Sequence, residues 1–259
     1  MAQLSLPRLD PSKFQDPFVT AQGEKRAHVV LKALQTLWFN TGTLCNLTCQ
    51  HCYIESSPKN DRLVYLTAAE VAEYLDEIDA CALPTSLIGF TGGEPFMNPE
   101  LLAMLQDVLS RGLAALVLTN AMKPMAKCKP ALLRLRDLYG ERLTIRVSIY
   151  HYGRQVHELE RGRRSWQPTI DGLVWLAQNG FSPHVASRQL SGESETAIRN
   201  GFAGLFASWV WRSTLTTRSH YWFSRKWIRP PMFLRSPKRA GASLESRRRV
   251  SCARPPGWS

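Results

Sequence analysis

Along residues 35–207 short apolar runs alternate with longer segments in which apolar side chains recur every three to four positions. Residues 37–41 (LWFNT) form the first run and read as a strand closed by Gly42. Thr67 and Glu70 make a T-x-x-E capping box. The helix it opens puts Val71, Tyr74, Leu75 and Ile78 on one face and acids on the other. Residues 87–91 (LIGFT) are a second strand, ended by Gly92-Gly93. Asn98-Pro99 supplies an N-cap and a first-turn proline for a helix running to about Arg111, stopped by Gly112. Residues 115–119 (ALVLT) and 143–149 (LTIRVSI) predict strands three and four. Helices at 130–139 and 168–179 end at Gly140 and Gly180, and 183–187 (PHVAS) is a weaker fifth strand before a helix at 193–207.

Strands alternating with helices of this length imply a parallel sheet of βα units. A closed (β/α)₈ barrel typically takes about 250 residues. Five units ending near 207 therefore predict an α/β fold of the partial, TIM-like barrel kind, with a doubly wound sheet as the alternative. The expected organisation is an N-terminal extension (1–34), a core domain (35–207) and an irregular basic tail (208–259).

Charge sharpens that last boundary. The 259-residue chain carries a net +12. Residues 1–204 hold 21 basic and 20 acidic side chains, a net +1, whereas residues 205–259 hold 12 basic side chains and one acid, Glu245, a net +11. Trp209, Trp211, Trp222, Trp227 and Trp258 also lie there. A basic segment interleaved with aromatics suits nucleic acid, through phosphate contacts and stacking. The same Arg/Pro/Ser/Trp-rich, acid-poor composition is what out-of-frame translation of a GC-rich gene produces. With no sustained period of 3.6 or 2 in the tail, a frameshift near 205–210 is the preferred expectation. Nucleic acid is a partner only if the tail is genuine.

The N-terminus lacks a basic segment followed by an apolar run, so no secretory signal is expected. No run approaches the ~18 apolar residues of a membrane span. Both place the protein in the cytoplasm, where thiols stay reduced. Cys81, Cys128 and Cys252 read as lone cysteines, while Cys45, Cys49 and Cys52 form a cluster with spacing C-x₃-C-x₂-C immediately after the first strand. Three thiolates on one loop can bind three irons of a cubane. A [4Fe–4S] cluster ordinarily takes four cysteines, so one iron would be open to another ligand. The competing reading is zinc, which needs four ligands; His51 is the available fourth, but it lies inside the C-x₂-C and would crowd the loop.

On these residues the chain resembles the radical S-adenosylmethionine (SAM) enzymes. The family motif is C-x₃-C-x-(aromatic)-C after the first strand, with His51 here at the aromatic position. Gly92-Gly93-Glu94-Pro95 matches the family's GGEP segment after the second strand. The resemblance covers roughly residues 35–205. It implies an enzyme in which Cys45, Cys49 and Cys52 hold a [4Fe–4S] cluster and SAM chelates the fourth iron. Reductive cleavage of SAM then gives a 5′-deoxyadenosyl radical that abstracts a substrate hydrogen.

The resemblance also implies that Gly92 and Gly93 allow close approach to the methionine portion and that Glu94 accepts from its ammonium. His51 and the backbone at Tyr53 would flank the adenine. Asn120, Ser148 and Arg188, at the ends of strands three to five, would contact the ribose or carboxylate. The substrate is unassigned among small molecules, peptides and RNA, and the electron donor would be a flavodoxin or ferredoxin. Two alternatives stay open: a zinc- and nucleic-acid-binding module using the tail, and a catalytically dead remnant. His151, His157 and the run Arg161-Gly162-Arg163-Arg164 read as a solvated basic loop ahead of a substrate-site wall.

Overall fold

The computed structural model describes residues 15–27, 32–189, 192–210 and 221–224. The chain divides into two compact units, Met1–Ala33 and Leu34–Ser259. In the first, a turn closes with Val19 bridged antiparallel to Lys25.

The second unit repeats strand and helix: β1 (Thr36–Asn40), α1 (Ala68–Ala80), β2 (Leu87–Thr91), α2 (Leu101–Ser110), β3 (Ala114–Thr119), α3 (Lys123–Lys127) and α4 (Lys129–Tyr139). It continues with β4 (Leu143–Ser148), α5 (Arg154–Arg161), α6 (Trp166–Gln178), β5 (His184–Arg188), α7 (Glu195–Val210) and β6 (Tyr221–Ser224). The six strands are parallel and lie in chain order, β1 to β6. A doubly wound sheet reverses its strand order at a switch point; sequential order belongs instead to the barrel type, and among the described residues β1 and β6 are the outermost strands.

The capping box forms as expected: the Thr67 hydroxyl accepts from Glu70 N at 3.2 Å, and Glu70 accepts from Thr67 N at 2.9 Å. Val71, Leu75 and Ile78 then bury against the sheet. In β4 the alternation is complete: Leu143, Ile145 and Val147 are buried, while Thr144, Arg146 and Ser148 are half-buried. The core joins these side chains to Phe39, Ile88, Phe90, Met104, Leu105 and Val117. Each fully buried side chain of this size contributes about 1.5–3 kcal/mol of apolar transfer.

Four expectations are corrected. Helix α2 begins at Leu101, two residues later than expected: Asn98 does accept from Glu100 N through Oδ1 (2.8 Å), but this bond closes a turn ahead of the helix. The Asn98 Nδ2 donates to Thr41 O (3.1 Å) and Leu66 O (2.8 Å), tying the end of β1 to the entry of α1. The 151–164 segment is not a solvated loop but contains α5. Cys81, expected as a lone thiol, is disulfide-bonded. Regular structure also passes the expected boundary at 207. Helix α7 reaches Val210 and a sixth strand, Tyr221–Ser224, pairs with β5; Tyr, Trp and Phe are strong strand formers in a run too short to show a period. The remaining tail, 211–220 and 225–259, lies outside the described residues.

Candidate active site

Parallel strands deliver their C-terminal ends to one edge of the sheet, and the loops there build the site. The loop after β1 is folded back on itself. Leu44 bridges Ser57, Cys45 N donates to Ser57 O (3.1 Å), and Thr43 exchanges bonds with Leu63. Cys52 N donates to Cys49 O (3.3 Å), closing a tight turn. All three thiols of this loop are reduced. Cys45 is buried, and Cys49 and Cys52 are half-buried. The Cys45 sulfur accepts from Leu47 N (3.4 Å) and the Cys52 sulfur from Ser56 N (3.2 Å). Cys49 lies within electrostatic reach of both other thiols. Burial pushes Cys45 up to about 12 and raises Cys49. Binding iron would deprotonate both, as metal coordination does for thiols. Among the described residues no three His, Cys, Asp or Glu side chains are grouped as ligands of a single ion. A cubane gives each thiolate an iron of its own.

The GGEP turn locks onto this loop through the backbone. Gly93 N donates to Gly42 O (2.9 Å) and Glu94 N to Leu44 O (3.0 Å). Gly92 has φ +138°, and a Cβ there would stand 2.6 Å from Gly42 O. At Gly93 a Cβ would collide with Leu44 O and meet Thr43 O at 2.8 Å. The space opened by the missing Gly93 side chain is therefore filled by the cysteine loop itself.

Glu94 is 2% exposed. Its Oε1 accepts from the Thr119 hydroxyl (2.7 Å) and Phe96 N (3.2 Å), and its Oε2 accepts from Asn120 N (2.8 Å). A carboxylate offers about four acceptor positions, so one on Oε2 is left for a further donor. Burial pushes the carboxyl up, and these three bonds oppose that shift. Asn120 is engaged on both sides: Nδ2 donates to Asn46 Oδ1 (2.8 Å) and Oδ1 accepts from Met122 N (3.0 Å). It links the end of β3 to the cysteine loop. Ser148 ends β4, half-buried.

On the far side of the loop, Arg188 donates from Nη1 to His51 O (2.7 Å) and its guanidinium lies 4.5 Å from the Tyr150 ring centroid. The His51 ring is half-exposed and pairs with Glu160 Oε2 at 2.7 Å. Tyr53 is 43% exposed, with its hydroxyl 3.4 Å from Thr91 Oγ1. All eight candidate SAM-contact residues thus lie on the loops or strand ends of this one edge.

Sequence reasoning missed Tyr150 and Glu160 and read Arg161 as part of a solvated loop, whereas it is buried. Glu160 O accepts from Gln50 N (2.9 Å), fastening α5 to the cysteine loop. Arg161 is 5% exposed and lies 4.6 Å from the Tyr150 ring centroid. The run Arg161-Gly162-Arg163-Arg164 looked like one charged stretch. Gly162, at φ +100°, ends α5 and splits it into a buried Arg161 and an exposed Arg163 and Arg164. A usable signal was the i,i+4 pair His157/Arg161, which shares one helix face; both are buried. His151, also buried, pairs with Glu193 (2.6 Å), which accepts from Tyr152 as well (2.6 Å).

The Radical SAM superfamily model matches residues 39–195, more than half of the chain. The antilisterial bacteriocin subtilosin biosynthesis protein AlbA of Bacillus subtilis is 29% identical over 143 residues, covering 55% of this chain and 30% of that protein. A GTP 3′,8-cyclase of Rippkaea orientalis is 26% identical over 148 residues, covering 54% and 42%. The chain spans less than half the length of either relative. Among solved structures, Streptococcus suis SuiB bound to its precursor peptide SuiA aligns with a TM-score of 0.56 at 14% identity, over 68% of this chain and 37% of that one. Methylornithine synthase (PylB) aligns with a TM-score of 0.50 at 17% identity, over 66% and 50%. These likenesses show the fold. No helix among the described residues is long and apolar enough to cross a membrane. A family model over the βα core, on a sequential parallel sheet whose edge carries both motifs, makes this chain a member of the radical SAM superfamily, whose enzymes bind a [4Fe–4S] cluster and SAM.

Proposed function

We propose that this chain binds a [4Fe–4S] cluster through Cys45, Cys49 and Cys52 and binds SAM on the same edge of the sheet, using the pair for hydrogen abstraction from a peptide or small-molecule substrate. One observation carries the reading: three reduced thiols share one loop, and that loop is docked backbone to backbone on the GGEP turn over a buried carboxylate. When bound, the cluster and SAM supply the one-electron cleavage and the carbon radical that such chemistry needs.

The chain's own residues bind and orient. Glu94 offers its remaining Oε2 position to the SAM ammonium, a charge-assisted bond. Gly92 and Gly93 hold the methionine side of the pocket against the cysteine loop. His51 and the Tyr53 backbone flank the adenine, and Asn120, Ser148 and Arg188 stand at the ribose and carboxylate. A flavodoxin or ferredoxin delivers the electron. The substrate classes come from the two relatives, one named for bacteriocin biosynthesis and one for GTP cyclisation.

The test is SAM turnover by the anaerobically reconstituted full chain with dithionite and no substrate. The expected result is methionine and 5′-deoxyadenosine from the wild type and neither from the triple variant C45A/C49A/C52A. Iron-loaded protein that leaves SAM intact would contradict the enzymatic reading.

A further inference from the structure

Arg161 is a cation where a cation is costly. Its side chain is almost wholly enclosed, its Nε makes no hydrogen bond among the described residues, and guanidinium cannot shed its proton. Burying a charge without compensation costs several kcal/mol, so the local anions matter. Glu160, its chain neighbour, has its carboxylate taken by His51. Glu94 lies within electrostatic range but already accepts three bonds. The other groups in range are Tyr150, His157 and the thiols of Cys45 and Cys49.

Stacking on Tyr150 holds the guanidinium in place. The Gln50–Glu160 backbone bond fixes the end of α5 against the cysteine loop. A rigidly held cation at this loop would be compensated by the negative charge of a thiolate-ligated cluster bound there. Arg188 adds a second positive charge near Cys49, but its Nη1 is committed to His51 O.

Resting on the cluster assignment above, we propose that Arg161 is the buried counter-cation of the iron–sulfur cluster and raises its reduction potential. Reduction adds one negative charge to the cluster, and a fixed cation nearby favours the more negative state. Arg161 is a positioning residue here: it acts on the cluster's charge and touches no reacting atom.

The experiment is a redox titration, followed by electron paramagnetic resonance (EPR), of the reconstituted full chain and of R161Q, R161M and R161K, all without SAM. In R161Q and R161M, with iron and sulfide content unchanged, the reduced-to-oxidised ratio at the wild-type midpoint is expected to fall about tenfold. For a one-electron couple that is a shift of about 59 mV to more negative potential. R161K keeps the charge and stays near wild type.

A wild-type midpoint in both neutral variants overturns the inference. So does R161K shifting as far as R161Q, or loss of the cluster from both neutral variants, which would make Arg161 a structural support. A wild-type chain that takes up no iron overturns the cluster assignment and this inference with it. A loaded wild type with indifferent variants overturns this inference alone.

Discussion

The two sides of the cysteine loop are held by different means. On the β1–β3 side, Gly42, Leu44, Gly93 and Glu94 join main chain to main chain, and a Cβ at Gly93 would meet carbonyl oxygens. On the β4–β5 side the contacts come mostly from long side chains: Glu160 to His51, Arg188 to the His51 carbonyl, and Arg161 and Arg188 to Tyr150. Backbone docking restricts residue type to glycine at fixed spacing and leaves a motif. Side-chain docking is satisfied by many residues at many positions and leaves none. The first side is therefore recognisable in the sequence, and the second is not.

The largest expected effect is on the backbone-docked side. Gly93→Ala forces a methyl into Leu44 O and cannot be relieved by a rotamer change. Overpacking of this kind costs about 1–3 kcal/mol, or roughly 2–4 °C of Tm per kcal/mol for a domain of this size. Calorimetry on the metal-free chain reads the stability, and iron content after reconstitution is expected to fall with it. An unchanged Tm and full iron loading in G93A would erase the distinction between the two sides.

Glu94→Gln comes next. It keeps the shape but sets an NH₂ against one of the donors that Glu94 now accepts, and it removes the charge offered to the SAM ammonium. A lost charge-assisted bond is worth about 1.5–3 kcal/mol, so the Kd for SAM of the reconstituted protein is expected to rise about tenfold or more. Equilibrium dialysis with labelled SAM checks this.

On the β4–β5 side the expected effect is a pH dependence. Burial holds His157 down at about 3, far below its ordinary 6.5. The unfolded chain takes up a proton below about 6.5 that the folded chain refuses until about 3. Stability therefore falls as pH drops through that window, by up to about 1.4 kcal/mol per unit from this group. His157→Phe keeps an aromatic ring against Trp166 and removes the titration. Its Tm is expected to decline less than that of wild type between pH 7 and pH 5; parallel declines would show that His157 does not titrate as its burial implies.

What was legible in the sequence follows the same division. The strand–helix alternation, the Thr67/Glu70 capping box and both glycine-bearing motifs were readable, because period, cap chemistry and backbone clearance each restrict residue type locally. Helix α5 was not. Its strongly polar sequence, RQVHELER, gives no apolar stripe, and what buries His157, Glu160 and Arg161 is contact with distant segments. Strand β6 was too short to show alternation. Asn98 was read as the helix cap, but it caps the turn just before the helix through Glu100 N, and its Nδ2 is held by Thr41 and Leu66, 57 and 32 residues away in the chain, which no local pattern shows.

The central claim is that Cys45, Cys49 and Cys52 hold a cluster with one iron left open to SAM. EPR of the reduced, reconstituted full chain with and without SAM tests it most directly. The account predicts a [4Fe–4S]⁺ signal whose g-values change on adding SAM and are unaffected by methionine-free adenosine. A reduced cluster whose spectrum is indifferent to saturating SAM, or a chain that retains no iron, would contradict it.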